Sequence, residues 1–200
     1  MGLNLVVGIM ADIHDFDEDF AEEVREDFAA ISELLNGKWT EPAAGKAEDF
    51  EMGSYSRLHT LRRLAVHFAV HGTLPEPVGE GLRASEDPLL EKVYATGPAD
   101  PPAPFDHLVQ HSDAGGYYVP VDFPAVLEDA PGGLLGSSVR LLAEARRLAE
   151  ALGLPEDPEL DPDEDTDEPW QHFRTEASVC LTLIAAAKRS IETGAAITFA

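Results

Sequence analysis

Residues Leu3 to Met10 form a short apolar run, partly β-branched, bounded by Gly2 and by Ala11-Asp12. A run of that length suits a strand buried on both faces, which we take as the first central strand of a sheet. The chain then changes period. Phe16, Phe20, Val24, Phe28, Ile31 and Leu35 recur at helical spacing, behind an Asp15 followed three residues later by Glu18 in the manner of a capping box. A helix over 16–35 follows, closed by Asn36-Gly37. Residues 38–52 keep no steady period and read as a loop.

Ser54 or Ser56 can cap a second helix, with Leu58, Leu61, Ala65 and Phe68 facing the core and His71-Gly72 at its end. Seven prolines between Thr73 and Pro104 predict a long irregular excursion, broken by a helical patch near Leu89 to Tyr94. Phe105 to His111 suits a turn or two of helix. The run Tyr117 to Phe123 reads as a strand whose far end Pro120 pushes to an edge. Ser137 or Ser138 caps a helix through Leu141, Leu142, Ala145, Leu148 and Leu152. A last helix carries Phe173, Ala177, Cys180, Ile184, Ala187 and Ile191 on one stripe, followed by Gly194 and a closing strand at 196–199. The fold class is therefore α+β: a small, mostly antiparallel or mixed sheet, with strands near 3–10, 117–123 and 195–199, covered by about four to five helices in a single domain over 1–200.

Thirty-eight acidic against fourteen basic side chains give a net charge of −24. That charge repels nucleic-acid phosphates and anionic lipid, and it steers a basic protein inward. Two segments concentrate it. The first helix carries Asp17, Glu18, Asp19, Glu22, Glu23, Glu26 and Asp27 with only Arg25 to offset them, and the loop at 155–169 holds nine acidic residues between Glu156 and Glu168. Like charges at i,i+4 cost helix stability. Within the loop, Asp161, Asp163, Asp165 and Asp167 alternate as in a calcium loop, but Thr166 and His172 stand where Gly and Glu are required. The lone Cys180, the lack of a basic leader and the lack of an apolar run of ~20 residues point to the cytoplasm and away from the membrane.

Three constellations bear on chemistry. His67 with His71, and His107 with His111, are two pairs at i,i+4, a spacing that places both rings of a pair on one helix face and can serve zinc or another divalent metal. The same rings can equally be held by hydrogen bonds, so no cofactor is the first expectation. Gln110-His111-Ser112-Asp113 leads into Gly115-Gly116 and the tyrosine strand, and Ser, His and Asp adjacent in sequence suit turn chemistry better than a triad. Gly53 to Arg62 opens a helix with small residues, where free N–H groups can hold an anion, as can the loop Gly132 to Ser138.

At these residues the chain resembles a loose group of uncharacterised bacterial proteins. The group pairs a Gly-Ser-Tyr-Ser-x-Leu-His-x-Leu-Arg helix start, here 53–62, with a His-Ser-Asp-x-x-Gly-Tyr-Tyr-Val-Pro-Val-Asp-Phe turn and strand, here 111–123. Its members often have Cys-Asp where this chain has Ala114-Gly115. In size and layout the group is similar to immunity proteins of bacterial toxin systems, small acidic α+β folds that plug a basic nuclease.

The leading expectation is a non-enzymatic, acidic, protein-binding chain of the immunity or inhibitor kind, with a basic partner such as a nuclease toxin. The alternatives are a metal-dependent hydrolase using His67, His71, His107 and His111, and a small-ligand module. The candidate pocket draws on Ser54, Tyr55, His59 and Arg62 at the helix start and on His111, Ser112, Asp113, Tyr117 and Tyr118 at the turn and strand. These two groups share a site only if they converge in space.

Overall fold

The computed structural model describes residues 3–43, 45–79, 81–98, 101–112, 114–155 and 169–199. Strand β1 (Asn4–Val7) leads through two short 3-10 turns into α1 (Glu18–Leu34), and the chain returns as β2 (Glu48–Glu51). Helix α2 (Tyr55–His71), α3 (Pro88–Thr96) and the single turn α4 (Asp106–Val109) come next. They are followed by β3 (Tyr117–Val119), the hairpin β4 (Leu127–Ala130) and β5 (Gly133–Ser137), α5 (Ser138–Leu152), α6 (Arg174–Thr193) and β6 (Ile197–Phe199).

The six strands form one sheet in the order β2-β1-β6-β3-β5-β4. Among the described strands only β3 with β5 is parallel, so the sheet is mixed, and the fold is α+β. The closing strand β6 lies at the centre, between β1 and β3, which ties the two ends of the chain together. Adjacent residues of a strand face opposite sides. Leu5 and Val7 accordingly join a core built with α2, α5 and α6, whereas Val6 joins a second core under α1 with Phe28, Ile31, Trp39 and Tyr117.

The first helix starts later than its sequence signals suggest. Asp17, not Asp15, is the N-cap, its Oδ1 accepting the Phe20 N–H at 2.9 Å. Ser54 holds the N-cap position of α2 with extended backbone, but its hydroxyl bonds Ser56 and caps nothing. Ser137 does cap α5, accepting the Arg140 N–H. Three strands escaped the sequence reading. β2 lies in what reads as a loop, β4 ends just before the Pro131-Gly132-Gly133 break, and β5 begins at Gly133 and runs through the glycine-rich stretch after it.

That stretch is no anion cradle. A Cβ on Gly136 would meet the Tyr118 ring at 2.3 Å and the His111 ring at 2.9 Å, so the glycine exists to let two stacked rings cross a strand.

Candidate functional site

The helix start and the His-Ser-Asp turn do converge, through one buried guanidinium. Arg62, 3 % exposed, donates from Nε to the Leu108 carbonyl at 2.9 Å and from Nη2 to the carbonyls of His111 at 2.6 Å and Ser112 at 3.2 Å. His111 stacks on Tyr118 with ring centroids 4.0 Å apart, and its Nε2 faces the Tyr117 carbonyl at 3.1 Å. His107 accepts the Ser137 N–H on Nδ1 and donates from Nε2 to the Phe123 carbonyl, which fixes its neutral tautomer. Burial drives both imidazoles down to about 4. Tyr118 donates to the His107 carbonyl at 2.7 Å, and burial raises its phenol well above the ordinary range.

These contacts knit α2, α4 and β3 into a buried polar clamp whose members bond one another. Tyr117 is absent from it. As the neighbour of Tyr118 on a strand it points to the other face, where its hydroxyl donates to Asp27 of α1 at 2.7 Å, so the two tyrosines do not line a common pocket. Ser54, Tyr55 and His59 lie on outer turns of α2, His59 bonding the Tyr94 hydroxyl at 2.9 Å. Asp113 lies outside the described residues, as do 156–168 with their alternating aspartates.

The four histidines do not gather either. His67 bonds Asp87, which also takes Arg63 and caps α3. Burial raises the Asp87 carboxyl, but the bonds from His67, the Leu90 N–H and Arg63 outweigh it and hold the group below its usual value. His107 bonds the Ser137 N–H and the Phe123 carbonyl, and the ring nitrogens of His111 face the carbonyls of Ser112 and Tyr117. Among the described residues no group of three or more His, Cys, Asp or Glu side chains is placed to hold a metal ion. Cys180 is buried, its thiol donates to the Ala145 carbonyl, and burial pushes its pKa up to about 12.

What remains is charge, and it is segregated. Residues 1–51 carry fourteen carboxylates against three basic side chains, and 156–168 carry nine against none. The rest of the chain has fifteen against eleven. The fold converts this into a surface. Among the described residues α1 is the only helix on its side of the sheet, buried through Ala21, Val24, Phe28 and Ile31, so Glu18, Asp19, Glu22, Glu23, Glu26 and Glu33 are turned outward and exposed. Asp27 is the exception, half-buried against Tyr117.

Strand β2 extends the same side. Its Asp49 pairs with Val6 and its Glu51 with Asn4, so both point to the α1 side and both are exposed. Glu48 pairs with Val7, points the other way and meets Arg189 at 2.8 Å. The opposite layer has a different balance: α2, α5 and α6 together hold nine Arg and Lys side chains against four Glu.

Asp49 and Glu51 are the site residues that sequence reasoning missed. Phe50 and Met52 alternate with them at period two, but a strand of four residues gives that signal too little length to stand out.

A protein-family model described as "Putative DNA-mimic protein" matches residues 1–199. No curated protein and no solved structure matches the chain. The description is of acidic proteins that bind a protein partner, and it directs them to proteins that bind DNA. This corrects the expectation of a nuclease toxin as partner: the concentrated acidic charge suits a protein partner, but the choice of a nuclease toxin rested on likeness of size and layout to immunity proteins.

Proposed function

The chain belongs to the DNA-mimic family that its residues 1–199 match, and we propose on that premise that it occupies the DNA-contacting surface of a DNA-binding protein. The outer face of α1, with Asp49 and Glu51 of β2, makes the contact. Occupancy excludes DNA, so the chain acts stoichiometrically as an inhibitor of its partner's DNA binding, without catalysis.

The observation that carries this reading is the one-sided array of exposed carboxylates on α1. At ~1.5 Å rise per residue, the five from Glu18 to Glu26 fall within ~12 Å, roughly one per 3 Å of axis, and Glu33 lies ~10 Å further along. A DNA strand carries one phosphate per ~3.4 Å of axis. Lysines and arginines arranged to follow a phosphate backbone therefore meet charges at a similar pitch, on a rod held rigid by its buried face. Such a contact is electrostatic and steepens with falling salt. Nine further carboxylates in 156–168 enlarge the acidic total by sequence.

Capture on immobilised full-length chain from lysate of the source cells at low salt tests the reading. The proteins retained are expected to bind DNA and to be released by added duplex DNA. A chain with Glu18, Asp19, Glu22, Glu23 and Glu26 converted to amides is expected to retain at least about tenfold less, the equivalent of ~1.4 kcal/mol. Retained proteins that duplex DNA does not release count against the proposal.

A further inference from the structure

On the side of the sheet away from α1, a cavity of about 650 Å³ opens between the first turns of α2, the 78–85 segment and Thr175 at the start of α6. Its chemistry is unlike the rest of the surface. Arg57 and Arg83 supply positive charge, Ser85 and Thr175 supply hydroxyl groups, and Val78 and Leu82 supply apolar wall. Among the described residues that line it there is no carboxylate, in a chain of net charge −24.

Among the described residues, the nearby carboxylates are committed elsewhere or stand off, and Glu80 lies outside the described residues. Asp87 is held by Arg63 and His67. Glu176 is buried. Glu86 reaches Arg83 only at 3.8 Å, between two largely exposed side chains, a contact worth little in water.

Arg57 is set in place before any ligand arrives. Its guanidinium lies across Gly53, where a Cβ would sit 2.7 Å from Nη1, and its Nη2 donates to the Ser178 hydroxyl at 3.1 Å. Gly53, at φ +90, thus serves the arginine as well as the turn. Leu82 is 70 % exposed, a large apolar side chain that the core does not use. A fixed cation beside an uncovered apolar wall suits a ligand with both an anionic and an apolar part. The net charge repels anions at long range, so such a ligand is held only where cations are concentrated locally.

The geometry points to a binding site for a small organic anion, its phosphate or carboxylate on Arg57 and Arg83 and its apolar portion against Val78 and Leu82. The site lies on the opposite layer from the acidic face and stands independently of the DNA-mimic reading.

Phenyl phosphate and benzoate, titrated into the full chain by calorimetry at low salt, are the probes, with phenol and benzamide as their uncharged analogues. At least one anionic probe binds one-to-one at sub-millimolar concentration, and the uncharged analogues do not. Which of the two binds separates a phosphate ligand from a carboxylate one. R83Q and R57Q each weaken that binding about tenfold, ~1.4 kcal/mol. R83Q leaves Tm unchanged, since the Arg83 side chain is 79 % exposed, so its loss of binding cannot be assigned to unfolding. Failure of both anionic probes to bind at millimolar concentration, or equal binding to the wild-type chain and R83Q, overturns the inference.

Discussion

Glu144 sits beneath the start of α4 with one carboxyl oxygen accepting the His107 N–H at 3.2 Å and the other the Leu108 N–H at 2.8 Å. Burial raises its pKa to about 7, so the folded chain keeps a proton there that the unfolded chain releases near 4.5. Stability from this group is full below 4.5 and is lost as pH rises toward 7. Glu41, buried and raised to about 7, acts in the same sense. His107 and His111 act in the opposite sense: depressed to about 4, they lose stability as pH falls from 6.5.

The two pairs therefore oppose one another between about 4.5 and 6.5. E144Q removes one of the two carboxyls and leaves Glu41. At pH 5 the variant is expected to be less stable than the parent by about 1 kcal/mol, for the acceptor it loses, and the gap narrows as pH rises to 8. Urea unfolding at several pH values measures it, and a gap that is constant or widens with pH contradicts the assignment. None of these roles was legible in the sequence. His107 and His111 were visible as an i,i+4 pair, but only the burial of α4 under α5 brings their ring nitrogens to backbone groups.

Helix α1 carries its charge at the expense of its own stability. Glu18 and Asp19 in the first turn are favoured by the helix dipole, but Glu18 with Glu22, Asp19 with Glu23, and Glu22 with Glu26 are like charges at i,i+4. Converting Glu22, Glu23 and Glu26 to Gln is expected to stabilise the chain by about 0.5–1 kcal/mol at low salt, with the gain shrinking as salt is added. The same variant is expected to lose partner binding. Thermal unfolding and the capture assay read the two effects, and a variant no more stable than the parent that still captures partners contradicts the view that the charges are kept for binding.

At this scale the sequence was read well where periodicity ran long. Helices α1, α2, α5 and α6 follow from their apolar stripes and their glycine stops, to within a few residues. The hairpin β4–β5 does not, because its glycines are there for ring clearance and look like a break to any pattern argument. The cap of α1 moved two residues for a local reason: Asp15 is taken into a 3-10 turn, and Asp17 is the first acceptor with extended backbone.

Among the described residues, charge is divided across the sheet. One side presents α1 and the outward residues of β2, nearly all acidic, and the other presents three helices in which basic side chains outnumber acidic ones. Composition gave only the total of −24. The segregation needed the topology, since β1 in the second position from one edge sends Val6 to α1 and Val7 to α6, and with them Asp49 and Glu48 to opposite faces. A charge coat that served solubility alone has no need to be sorted in this way.

The most direct measurement is a competition between this chain and duplex DNA for one purified protein recovered by capture. With a fluorescent duplex bound to that protein, added chain is expected to displace the duplex fully, to do so less well as salt rises, and to form no species containing both. A stable ternary complex of partner, duplex and chain would place the contact away from the DNA-binding surface and contradict the account.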